Sequence, residues 1–371
     1  MAASFRGVIR AATAAAIWVL AGRELCAQGS ARPTPAPFTP SGGSALDAPF
    51  VRNQALLGVL VYGPAFAATV ANEPIAWTVS YVVVGGGSYF VAAQLNRDLH
   101  ITEAMNSLAT TGAVRGGLIG LALTYQGGVD RHTRAGAMFL GSIGGTAAAL
   151  IAGRGMTDGQ VAAATFGANF LSLEALASTH IADAGATGKS RLATAVVAGL
   201  LGYPLGYLYA SRAPYAVTAG DVTTLWAAAG IGVAAGGAFV ANGNPSAAAV
   251  GTALGVGAIA GVIAGDRLLV RRFDHASGDG QLVVAGALAG GLMGAGLGAL
   301  SGTGAARDHI TGATALLTAL GGVGGVMWVE HYIGAHPDAG RRLGRVEFNA
   351  AGVLAAATRQ PGTYALLRLT F

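Results

Sequence analysis

Charge is what this chain has least of. Its 371 residues include 22 Lys+Arg and 17 Asp+Glu, so charged side chains make up 11%, against about 25% in an ordinary soluble domain. A fully water-facing surface cannot be assembled from that supply. Cysteine is nearly missing too: Cys26 stands alone, which rules out a disulfide scaffold. Lys189 is the only lysine, and the arginines gather at segment ends instead of forming a stripe. The electrostatic footprint of a nucleic-acid binder is therefore absent, and no nucleic-acid partner is expected. Aromatics reach only 7%, too few for the girdles of a whole-chain β-barrel. What is abundant is apolar residues at 53% and 60 glycines, with a mean hydropathy of +0.55. That composition excludes intrinsic disorder and points to helices in lipid.

The amino terminus predicts export. Residues 1–27 read as a signal peptide: Arg6 and Arg10 are followed by the apolar stretch Ala11 to Gly22, with Leu25-Cys26-Ala27 before the cleavage point. Leu25 occupies the position where a lipoprotein signal needs a small residue, so lipidation of Cys26 is not expected. Residues 28–53, with Pro33, Pro35, Pro37, Pro40 and Pro49, read as a proline-rich exported linker. The destination is a cell-envelope membrane, with the inner membrane slightly favoured over the outer.

Residues 54–334 alternate long Ala/Gly/Leu/Val stretches with short polar breaks: 54–72, 75–95, 103–126, 135–153, 158–182, 191–210, 222–241, 246–265, 280–301 and 312–334. Their lengths match the roughly 20 residues with which a helix crosses about 30 Å of hydrocarbon. The expected fold class is all-α, a polytopic bundle of nine or ten hydrophobic helices. Asp158-Gly159-Gln160 recurs as Asp279-Gly280-Gln281, with Asp221 between them, and the run from Arg131 to Gly145 aligns without a gap to Asp308 to Gly322. These echoes predict tandem helical hairpins with a two-helix period of about 60 residues. Asp158, Asp221 and Asp279 are expected to be helix N-caps, since a carboxylate there accepts an orphan backbone N–H at the positive end of the helix dipole.

Within these segments Gly286, Gly290, Gly294, Gly298 and Gly302 recur at four-residue spacing, and Gly257, Gly261 and Gly265 form a shorter run. Such spacing lines up one helix ridge, where missing side chains admit a neighbouring backbone. A glycine zipper is the expected packing device, because an isolated helix loses about 0.5–1 kcal/mol per interior Gly relative to Ala.

The loop arginines favour nine crossings over ten, with segment 158–182 lying at the interface because it holds Gln160, Asn169, Glu174 and His180. Residues 335–371 form a tail in which two alternating stretches, around Val346 and from Thr363 to Phe371, flank the turn signal Gln360-Pro361-Gly362. A short β-hairpin-like tail is expected. Its last strand, ending in Phe371, resembles the terminal signal of bacterial outer-membrane barrel proteins, which implies an outer-membrane association as an alternative.

No catalytic constellation, cofactor site or metal site is expected. Gly185 to Ser190 resembles a phosphate-binding loop, but Asp183 stands where its first glycine belongs and no strand precedes it. Gly255-Val256-Gly257 is a matter of helix packing, and no His-Glu-x-x-His occurs. Mid-segment ionisable residues carry more weight, since in hydrocarbon they face a partner or an aqueous path. Arg115, Asn169 and Glu174 are the candidate polar path, with an Arg115–Glu174 pair at its centre. The sequence thus supports a non-enzymatic integral membrane protein with a structural or scaffolding role. A transporter or channel is the alternative, and the bilayer is the principal partner, with a second copy or an envelope protein as a further one.

Overall fold

The computed structural model describes residues 48–182, 188–241, 245–301, 312–336, 346–348 and 367–369. The signal segment, most of the proline-rich linker, Gly302, the Gln360-Pro361-Gly362 turn and Phe371 lie outside the described residues. Ten long helices make up nearly all of what is described: α1 (Pro49–Val70), α2 (Pro74–Leu99), α3 (Glu103–Gln126), α4 (Arg131–Ala152) and α5 (Asp158–Ala182). They continue as α6 (Gly188–Arg212), α7 (Ala219–Val240), α8 (Ala247–Val270), α9 (Ser277–Ser301) and α10 (Gly312–Ala335). The chain is all-helical in class, and nine of these helices are long and apolar enough to cross a membrane. Val346–Phe348 and Leu367–Leu369 pair antiparallel, with Val346 opposite Leu369.

The helix that falls short is α3, not the 158–182 segment whose polar residues had marked it as interfacial; Asp158–Thr179 is long and apolar enough to cross. The reason is burial. Within its unit α3 packs against α1, α4, α5 and α6, and its Asn106 and Thr110 are buried. A helix covered by other helices does not need the apolar exterior that lipid demands.

The chain forms two compact units. The first holds α1 to α6 and α8 as far as Gly255. Here α3 and α4 run antiparallel with their glycines meeting backbone to backbone: a methyl group on Gly116 would overlap the Gly141 carbonyl, and one on Gly145 would overlap that of Gly112. In α5 and α6, Gly167 meets Gly202 and Gly206 meets Ala163 in the same way. Helix α1 begins at Pro49, inside the stretch expected to be linker, because proline in the first turn forfeits no hydrogen bond.

Further along α1, Gly58–Tyr62 forms a π-turn just before Pro64. The Gly63 N–H reaches back to the Gly58 carbonyl, and the Tyr81 hydroxyl of α2 donates to the Val59 carbonyl at 3.1 Å. An α-helical pattern would have bonded that carbonyl to Gly63, so Tyr81 satisfies the acceptor that the π-turn releases. In α6, by contrast, the helix runs through Pro204 without interruption.

The second unit holds α9, α10 and most of α7, with α8 from Val256 onward. Helices α7 and α8 meet at Gly232 against Gly257 and at Gly261 against Ala228, and Gly265 also lies on Ala228. Helices α9 and α10 are antiparallel: Gly286 meets Gly325, Gly290 meets Gly321, Gly294 meets Leu317 and Gly298 meets Thr314. Val283, Val326 and Val329 close the adjoining core with Ala227. The gap-free alignment of α4 with α10 had set Gly144 against Gly321. The structure shifts it by one, since Gly145 makes the close approach and Gly144 faces open space.

The Asp positions are also shifted from expectation. The α5 cap is Thr157, whose Oγ1 accepts from the Gln160 N–H at 3.2 Å while Gln160 Oε1 accepts from the Thr157 N–H at 3.0 Å. Thr218 and Asp221 make the same reciprocal box at α7, at 3.0 Å and 2.9 Å. At α9 Asp279 Oδ2 accepts from the Ala276 N–H at 3.0 Å. None of the three expected aspartates is the N-cap itself. Asp221 and Asp279 reach back from the first turn and Asp158 sits in it, so their dipole interaction survives while the capping geometry belongs to the residues before them. Asp130 is a true N-cap, of α4. The Thr133 hydroxyl, with the Thr133 and His132 N–H groups, holds its carboxyl down to about 2. Its contribution is complete above the ordinary carboxylate range near ~4 and is lost as pH falls toward that lower value.

Open and closed glycines give a paired test. Gly290→Ala and Gly145→Ala are expected to destabilise by about 1–3 kcal/mol through overpacking, whereas Gly296→Ala and Gly144→Ala should stabilise by about 0.5–1 kcal/mol. Thermal unfolding in detergent measures both. Equal effects within each pair would mean the backbones do not meet as described.

Candidate functional site

Three helices of the first unit converge on Arg115. From the middle of α3 its Nη2 donates to Asn169 Oδ1 and its Nη1 donates to Ser172 Oγ at 3.1 Å, both on α5. The Ser172 hydroxyl in turn donates to the Ala195 carbonyl of α6 at 2.9 Å, and the guanidinium carbon lies 5.3 Å from the centre of the Tyr203 ring. Gly199 leaves the space: a methyl group there would collide with Arg115 Nη1 and Ser172 Oγ. A half-buried guanidinium is therefore held by an amide, a hydroxyl and an aromatic face, with cation–π attraction supplementing the hydrogen bonds.

The structure thus unites two of the three sequence candidates and separates the third. Glu174 does not pair with Arg115; its carboxylate lies against α8, where a Cβ on Gly255 would be 2.6 Å from Oε2. Helical geometry explains the separation. At about 100° per residue, Asn169 and Ser172 share a ridge, and Glu174 projects about 170° away from its midline. Ser172, Tyr203 and Gly199 were missed by sequence reading. The spacing of Ser172 three residues after Asn169, and of Gly199 four before Tyr203, is the only local trace they leave.

A second polar cluster lies in the other unit, at the α8–α9 connection. His275 Nε2 is 2.7 Å from Glu330 Oε1 of α10, and His275 is only 2% exposed. Nearby, Asp266 and Arg271 form an ion pair at 2.8 Å. The first contact ties the connection to α10, and the second ties it back to the end of α8. Among the described residues no group of three or more His, Cys, Asp or Glu side chains is arranged to hold a metal ion.

Both clusters can be probed by stability. Asn169→Leu should cost about 1.5–3 kcal/mol, the range for a hydrogen bond to a charged group, while Glu174→Gln should change stability by less than about 0.5 kcal/mol. For the second cluster, His275→Ala should lower stability by about 1–3 kcal/mol by leaving the buried Glu330 carboxyl without its neighbour. Thermal midpoints of the detergent-solubilised variants decide both, and a larger loss from Glu174→Gln than from Asn169→Leu would invert the assignment. Compared with protein-family models, curated proteins and solved structures, the chain matches none.

Proposed function

We propose that this chain is a non-enzymatic polytopic membrane protein of a bacterial-type cell envelope, with a structural or scaffolding role. What carries the reading is the inversion of its side-chain distribution. Glycine, alanine and small hydroxyl residues occupy the helix contacts, while Phe239 and Leu300 are 88% and 83% exposed. In water such a surface would associate without limit; in hydrocarbon it is the natural exterior. The glycine ridges at Gly257, Gly261 and Gly265 and at Gly286 to Gly298 are then zippers serving assembly, and the tandem hairpins are the unit of construction. Gly302 extends the second ridge in the sequence.

Ten crossings are the favoured count. Helix α3 lies alongside α4 from Gly112 against Gly145 to Gly120 against Ala137, so a membrane that takes α4 takes α3 with it. A conduit at Arg115 is the second reading, favoured by one observation: the guanidinium has neutral partners only, leaving its charge uncompensated among the described residues. Engagement of both terminal nitrogens, by Asn169 and Ser172, weighs toward a structural lock. The outer-membrane alternative rests on Phe371, and deletion of that residue followed by membrane fractionation tests it.

The membrane reading predicts that the protein stays in the membrane pellet through alkaline carbonate extraction and is released by detergent. A monodisperse, detergent-free protein would refute it. The structural role predicts no solute or ion flux in liposomes from the wild type or Arg115→Gln; flux in the wild type that Arg115→Gln abolishes would establish the conduit instead.

A further inference from the structure

One end of the first unit carries a pocket that the bundle itself does not use. It measures about 280 Å³ and lies where the α1–α2 turn meets the start of α4, lined by Asn72, Glu73, Trp77, Arg131 and His132 with Ala68 at its wall. Three candidate spans end here, Pro49–Val70, Pro74–Leu99 and Arg131–Ala152. The pocket thus occupies the level at which lipid headgroups meet a membrane protein, and Trp77 is the residue type enriched there. Val70 and Ile75, next in sequence to the lining residues Ala71 and Pro74, are exposed.

Its two charges are opposite and are not joined to each other. The Glu73 carboxylate has no ion-pair partner among the described residues. Among the described residues Arg131 is committed only through Nε, which donates to His132 Nε2 at 3.5 Å. The ring is held in that orientation because its Nδ1–H donates to the Ala68 carbonyl at 2.9 Å. The two terminal nitrogens of Arg131 therefore remain available as a fork, the geometry that suits a phosphate. The neighbouring acid, Asp130, is engaged by the His132 and Thr133 N–H groups and the Thr133 hydroxyl, so it does not neutralise the fork by a direct bond. Glu73 can accept hydrogen bonds from an ammonium group, and the face of the Trp77 indole that is not stacked on Tyr81 offers a cation–π surface.

We propose that this pocket binds a phosphoethanolamine headgroup, with its phosphodiester on Arg131 and its primary ammonium between Glu73 and Trp77. The zwitterion matches the paired charges, whereas a purely anionic headgroup would meet Glu73 and a choline headgroup could not donate hydrogen bonds to it. The inference rests on the membrane reading, but the two fail separately: a protein that needs detergent yet shows no headgroup preference sinks only the site.

The full chain is reconstituted into nanodiscs of equal parts phosphatidylethanolamine, phosphatidylglycerol and phosphatidylcholine with matched acyl chains. After transfer to detergent, retained lipid is counted by mass spectrometry. The wild type should retain phosphatidylethanolamine about tenfold over the other two, and Arg131→Gln and Glu73→Gln should each remove that preference. Arg131→Lys, which keeps the charge but not the fork, should fall between. Trp77→Leu provides an independent arm, expected to lower ethanolamine preference without raising total lipid loss. Soluble glycerophosphoethanolamine offered to delipidated protein separates the sources: weak or no binding fixes the ligand as a lipid, and binding as tight as that of the lipid assigns the same chemistry to a soluble ligand. Equal retention of the three lipids by the wild type, or an unchanged preference in both charge variants, overturns the proposal.

Discussion

Close approach of helix backbones is the constraint from which the rest of this molecule follows. At Gly116 against Gly141, Gly232 against Gly257 and Gly290 against Gly321 there is no room even for a methyl group. Contacts that tight bring whole peptide units of two helices within van der Waals range and compensate for the flexibility of glycine by dispersion. They also decide what cannot be inside. At these glycine contacts there is no place for large side chains, and many of them, such as Phe239 and Leu300, line the exterior instead. The apolar surface is thus a geometric consequence of the interior, and lipid is the solvent that tolerates both.

The same constraint governs the polar residues. Where helices nearly touch, a buried hydroxyl or amide must find a partner within a few ångströms or remain unsatisfied at a cost of about 1–3 kcal/mol. Many helix-borne threonines and serines bond back to their own carbonyls, as Thr110 does to Asn106 at 2.9 Å and Thr318 does to Thr314 at 2.7 Å. Arg115 is too long for that solution. It requires the vacancy at Gly199 and the shared ridge of Asn169 and Ser172, so one glycine serves electrostatics in the way others serve packing. Tyr81 plays a related part at the π-turn, since it supplies a hydrogen bond that the backbone of α1 no longer provides.

These relations mark what a sequence of this composition discloses. Helix existence was legible because apolar stretches of spanning length are separated by polar breaks; α3 and α5 begin and end where the pattern put them. Ridge membership was legible as spacing of four. Register was not: spacing says which glycines share a ridge, but the pairing of Gly290 with Gly321, and not with Gly322, depends on how two helices slide and rotate against each other. The recurring Asp-Gly-Gln triplet misled for a related reason. Identical residues occupy different helical positions, Asp158 opening α5 and Asp279 lying in the third position of α9, because the true caps precede them at unequal distances. The contact of His275 with Glu330, 55 residues apart, leaves no local signal at all.

Glu174 shows how a charge can be misassigned when composition is read without angle. Arg115 and Glu174 are opposite in sign and both lie within helices, so pairing them satisfies the usual argument against isolated charge in hydrocarbon. That argument fixes only that each needs an environment, not that they share one. Glu174 lies five positions after Asn169, which on a helix turns one side chain toward Arg115 of α3 and the other toward Gly255. Arg115 then finds neutral partners in Asn169 and Ser172, and a further hydrogen bond to the Ala195 carbonyl fixes the orientation of Ser172. Such a site holds its cation through preorganised dipoles and an aromatic face instead of a counterion, and this arrangement locks three helices together without requiring a second buried charge.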